Sequence, residues 1–98
     1  MVVEFKPGTT AQIDFYVYDD TSKYHRNIDE IENNMSKIGD LKRLSFKQKI
    51  VYREYTAIFG VRTNEEAGKI RRTVDNIEGV LGARLKRYYL PPIEITKN

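Results

Sequence analysis

Two apolar stripes of matching spacing constrain this chain more than any other feature. Ile28, Ile31, Met35 and Ile38 recur at i, i+3, i+7 and i+10, and Ala67, Ile70, Val74 and Ile77 repeat the interval. Each set falls on one face of an α-helix, where side chains three and four residues apart line up. Asn27 with Glu30 can cap the first helix, and Thr63 with Glu66 forms a capping box for the second. Gly39 and Gly79 follow the stripes as stop signals. Neither helix can bury its stripe alone, so both need a shared apolar surface.

That surface is signalled on either side of the helices. Ile13, Phe15 and Val17 alternate with Asp14, Tyr16 and Tyr18, the period of a strand with one buried face. Leu44, Phe46 and Ile50 alternate with basic residues, residues 55–61 are rich in strand formers, and residues 83–90 continue until Pro91 and Pro92 stop them. The order is strand, helix, strand, strand, helix, strand. Two right-handed strand-helix-strand units of this kind give an α+β, ferredoxin-like βαββαβ sandwich. A four-stranded antiparallel sheet would then carry both helices on one face and leave the other open. Residues 1–7 fit either an extension of the first strand or a short edge strand before the Pro7-Gly8 turn.

Size and composition fit one domain spanning residues 1–98: 40% of the chain is apolar and 32% charged. No apolar run approaches the roughly 18 to 20 residues of a spanning helix, and residues 1–5 lack the charged start and apolar stretch of a signal peptide. A cytoplasmic location and no membrane partner are the expectation. With no cysteine, thiolate catalysis and sulfur-based zinc sites are excluded. His25 has no metal-spaced partner and is read as an exposed loop residue. The glycines form no phosphate-cradling pattern, and Gly68, inside the second helix, hints at close backbone packing.

The net charge of +3 permits nucleic-acid binding without demanding it, so distribution matters more. Acids concentrate at Asp19, Asp20, Asp29, Glu30 and Glu32. Basic residues gather at Lys42, Arg43, Lys47, Lys49 and Arg53, at Lys69, Arg71 and Arg72, and at Arg84, Lys86 and Arg87. The open face is expected to carry Tyr16 and Tyr18, Arg43, Ser45 and Lys47, and Arg84, Lys86 and Tyr88. Rings that stack on bases, set among cations that hold phosphates, suit single-stranded nucleic acid. The competing reading is that the tyrosines pack on one another or on a second chain.

Three families share parts of this pattern. Phe15-Tyr16-Val17-Tyr18 and Arg53-Glu54-Tyr55-Thr56-Ala57-Ile58-Phe59-Gly60 resemble the first-strand and third-strand motifs of the RNA recognition motif. That resemblance implies Tyr16 and Tyr55 as stacking residues and Arg53 as a phosphate contact. Residues 77–80 followed by Ala83-Arg84-Leu85 look like the last helix-to-strand junction of ACT domains, which implies pairing through the sheet or a small ligand. Tyr18-Asp19-Asp20 with Arg26 is similar to the small subunit of CRISPR adaptation complexes, which implies Asp19 as a metal-binding carboxylate in a symmetric dimer. The alternative role for Asp19 and Asp20 is to start a polar loop.

The sequence is therefore read as a non-enzymatic nucleic-acid-binding module, RNA favoured over DNA, working through the open sheet face. Its expected contacts are Tyr16, Tyr18, Arg43, Lys47, Arg53, Tyr55, Arg84, Lys86 and Tyr88, with no catalytic residue, metal site or cofactor. The alternatives are an ACT-like module that forms a homodimer or binds a small ligand through the sheet, and, third, a metal-dependent nuclease.

Overall fold

The computed structural model describes residues 1–18 and 28–91. Its elements follow the expected order: β1 (Thr10–Tyr18), α1 (Ile28–Ile38), β2 (Asp40–Gln48), β3 (Tyr52–Gly60), α2 (Asn64–Asp75) and β4 (Val80–Tyr89). The antiparallel sheet runs β2-β3-β1-β4, the ferredoxin-like arrangement, in which β3 and β1 occupy the centre. The alternation in β1 is realised as read: Ala11, Ile13, Phe15 and Val17 are fully buried, and the intervening residues face the other way.

Both apolar stripes reach the same core. Ile28, Ile31 and Met35 of α1 and Ala67, Ile70 and Val74 of α2 are buried with Tyr55, Ala57 and Phe59 of β3. Gly39 permits the close seating of α2 on the start of β2. A Cβ there would lie 3.1 Å from Ile70 Cδ1 and 3.5 Å from the Phe59 ring. Thr63 caps α2 as expected, its Oγ1 accepting from the Glu66 amide at 3.1 Å, while the Glu66 carboxylate reaches one residue beyond the cap and accepts from the Arg62 amide at 3.0 Å rather than from that of Thr63. Asn27, the expected cap of α1, lies outside the described residues.

Some boundaries differ from the sequence reading. Helix α2 stops at Asp75, so Ile77 packs against the core from the following turn rather than from the helix. Ile50 is not a strand residue but part of the turn between β2 and β3, where it is 98% exposed. The residues before β1 form neither an extension nor a strand of the sheet. They run beside the entry to α2, with one bridge from Glu4 to Thr63 and the Phe5 amide donating to the Arg62 carbonyl at 2.8 Å. Gly68 answers no close backbone approach, because a Cβ there would meet only the Arg72 side chain, at 3.4 Å.

Strand β4 is irregular twice. Lys86 is an extra residue between the Gln12–Arg87 and Ile13–Leu85 pairs, and the ladder slips again between Asp14–Arg84 and Tyr16–Leu81, around Gly82 at φ +62°. The second slip turns the Ala83 peptide groups away from β1, and α2 satisfies them. Its Asp75 carboxylate accepts from the Ala83 amide, and its Arg71 guanidinium donates to the Ala83 carbonyl, both at 3.3 Å. Bulges of this kind bend a strand and change which face later side chains occupy.

Candidate functional site

The face of the sheet opposite the helices can be followed across the strands row by row from the pairing register. Lys47, Glu54, Tyr16 and Leu81 form one row, and Ser45, Thr56, Asp14 and Arg84 the next. Arg43, Ile58, Gln12 and Arg87 follow, and then Asp40, Gly60, Thr10 and Tyr89. Tyr18 and Tyr52 pair directly at the end nearest the β2–β3 turn. Cations thus sit on both edge strands, about 14 Å apart for three strand spacings. The carboxylates Asp14 and Glu54 occupy the central strands with Thr10, Gln12 and Thr56, while Asp40 and Ser45 share β2 with its cations.

Tyr16 is held on three sides. Its ring lies against β4 at Gly82, where an added Cβ would come within 3.6 Å of it. Tyr52 meets it edge-on, with centroids 5.5 Å apart and planes at 77°, and Arg84 donates to its hydroxyl at 3.4 Å. Tyr16, Tyr18, Tyr52 and Leu81 together line a shallow hollow of about 280 Å³. Further along the face, Tyr89 donates to Gln12 Oε1 at 2.5 Å, and Gln12 donates to Asp14 at 2.9 Å. Lys49 lies 4.0 Å from Glu54, and Lys42 lies 3.0 Å from Asp40. Arg43, Lys47 and Arg87 have no carboxylate partner among the described residues.

Of the residues expected on this face, Tyr16, Tyr18, Arg43, Lys47 and Arg84 are there. Lys86 is exposed, but as the bulged residue of β4 rather than a member of a regular row. Three others are elsewhere. Tyr88 pairs with Ala11, whose side chain is on the helix side, and packs on Phe5 with centroids 4.7 Å apart. Tyr55 is 1% exposed and stacks on Phe15 in the core, at 5.0 Å and nearly parallel, so no base can reach its ring. Arg53 shares that side, bonded to the Tyr55 hydroxyl at 3.2 Å and to Glu32 at 3.4 Å, with its guanidinium 4.4 Å over the Phe46 ring.

The Tyr55 hydroxyl donates to Glu32 of α1 at 2.5 Å. Its pKa is pushed up to about 12, first by burial and then by this bond, which needs the proton in place. Tyr55, Arg53 and Glu32 are therefore a structural clamp between α1 and the hairpin.

The sequence reading passed over Tyr52, Leu81, Arg87 and Tyr89. For Tyr52 a signal existed, because counting in twos back from the apolar Ala57 and Phe59 puts Tyr52, Glu54, Thr56 and Ile58 on the opposite face. Asp19, Asp20, His25 and Arg26 lie outside the described residues, and among those described no group of three or more metal-ligating side chains could hold an ion. No described helix is long and apolar enough to cross a membrane.

No family model matches the chain, and no curated protein or solved structure matches it significantly. The strand order and element order are those of a ferredoxin-like α+β fold.

Proposed function

We propose that this domain binds single-stranded nucleic acid, RNA in preference to DNA, across the open sheet face. One observation carries the reading: a tyrosine fixed in orientation, Tyr16, stands beside Tyr18 and Tyr52 between two cationic edges. Stacking on a ring already held by Gly82, Tyr52 and Arg84 costs little further ordering. Phosphates would run along the edges, held by Arg43 and Lys47 on β2 and by Arg84 and Arg87 on β4. Asp14 and Glu54 would repel them from the centre, leaving bases and sugars over Gln12, Asp14, Ser45 and Thr56, which offer partners to a 2′-hydroxyl.

The test is equilibrium binding of RNA and DNA oligonucleotides of mixed sequence over a range of salt. Each phosphate contact removed, as in Arg43→Ala or Lys47→Ala, should lower the slope of log K against log salt by about 0.7. Tyr16→Ala should weaken binding by about 1–3 kcal/mol and leave that slope unchanged, since stacking releases no counterion. Tyr88→Ala should do neither. Absence of binding at low salt, with Tyr16→Ala lowering the solution mass of the protein, would replace this reading by sheet-to-sheet assembly.

A further inference from the structure

The turn between β2 and β3 sets an apolar pair out in solvent at its tip. Gln48 and Arg53 are the last strand pair, and the Lys49 amide donates to the Tyr52 carbonyl at 2.8 Å, so Ile50 and Val51 alone make the loop. Two-residue hairpin loops favour Asn-Gly or Asp-Gly, whose positive φ matches the twist of the strands. Here two β-branched residues take the tip and no described residue other than glycine has positive φ, so the turn is not of that kind. Both are also exposed, Ile50 at 98% and Val51 at 50%. Negative φ suits the β-branched pair, but burial does not account for it: two adjoining apolar side chains stand in solvent at the tip, where an exposed apolar patch marks a surface of interaction.

The hairpin beneath this tip is braced. Gln48 Nε2 donates to the Lys49 carbonyl at 3.0 Å, Arg53 Nε donates to Gln48 Oε1 at 3.3 Å, and Arg53 reaches Glu32 of α1 at 3.4 Å. The tip projects from the end of the sheet where Tyr18 and Tyr52 pair, with Lys47 on the strand leading into it and Lys49 just past that strand's end. A braced apolar point flanked by cations and adjoining an aromatic surface matches the wedges that proteins set against base pairs.

We infer that Ile50 and Val51 seat on the terminal base pair of a duplex at the point where one of its strands continues as the single strand on the open face. The partner is a nucleic acid with a single-strand-to-duplex junction, and the inference rests on the face binding single strands. The two aliphatic side chains cover the last base pair, Lys47 and Lys49 meet the phosphates beside it, and Tyr18 and Tyr52 receive the first unpaired bases.

The experiment compares a single strand, a blunt duplex, and a duplex carrying that single strand as a tail, each labelled and titrated with the full chain. The tailed duplex should bind roughly tenfold more tightly than the single strand, about one good stacking contact. The double variant Ile50→Asn/Val51→Gly replaces two exposed apolar side chains with turn-forming residues, so its thermal midpoint should stay close to that of the wild type. It should lose the tenfold gain and keep the single-strand affinity. Equal binding of the tailed duplex and the single strand by the wild type, or a gain that survives in the variant, overturns the wedge and leaves the face reading standing. No binding of any oligonucleotide overturns both. Co-sedimentation with vesicles of anionic phospholipid that the double variant abolishes, without a junction preference, would assign the tip to a membrane surface instead.

Discussion

Replacing Tyr55 by Phe removes a single oxygen from the clamp between α1 and the hairpin, and its effect can be worked out from what that oxygen touches. The hydroxyl donates to Glu32 and accepts from Arg53. A bond to a charged group is worth about 1.5–3 kcal/mol. The Glu32 and Arg53 side chains are 32% and 23% exposed and retain each other at 3.4 Å, so the expected loss at neutral pH falls to about 1–2 kcal/mol.

The pH dependence is more specific. With its pKa at about 12, the folded state holds the Tyr55 proton more tightly than the unfolded chain, whose tyrosine titrates at 10.0. That contribution is fully present below the unfolded value and is lost as pH rises through the folded one. A shift of that size corresponds to roughly 3 kcal/mol at most. Raising the pH through that window should therefore lower the wild type's unfolding free energy, measured in urea, by about 2 kcal/mol more than that of Tyr55→Phe. The difference in tyrosinate absorbance between the two proteins should titrate at about 12. A difference titrating at the ordinary 10.0, with parallel pH dependence of stability, would refute a buried hydroxyl held by Glu32.

Two further substitutions probe the helices by urea unfolding. Gly68→Ala should stabilise the protein by about 1 kcal/mol, because the methyl group meets only the Arg72 side chain; a lower midpoint would mean that the methyl group is crowded there. Ile70→Ala should cost about 2–5 kcal/mol, since Ile70 is 4% exposed and fills the space over Gly39; a cost near zero would mean that α2 is not seated on the sheet as described.

The architecture was legible wherever one signal repeated over several turns or residues. The stripes from Ile28 and from Ala67, and the strict alternation of β1, fix which side of each element is buried, and burial dominates folding. The open face was legible on β1 and β2 for the same reason. It was misread on β4 because side-chain phase survives only while pairing is regular. A bulge is decided by tertiary fit, here Gly82 under the Tyr16 ring and Lys86 as a surplus residue, and no periodicity in residues 80–89 announces either. Tyr55 was misplaced for a different reason. Its resemblance to a stacking position competed with its alternation alongside Ala57 and Phe59, and alternation reports the buried face more directly.

The surplus residues have a consequence for how this sheet can meet another protein's backbone. Lys42 is extra in β2, between the Leu41–Phe59 and Arg43–Ile58 pairs, just as Lys86 is extra in β4. These are the two outer strands, where a flat run of unpaired amide and carbonyl groups would template a neighbouring strand and start an open-ended ribbon. A kink bearing a lysine interrupts that run on each side, which disfavours strand-to-strand pairing along both borders of the sheet. What the sheet then offers to a neighbouring molecule is its broad surface, where side chains rather than backbone would set the selectivity.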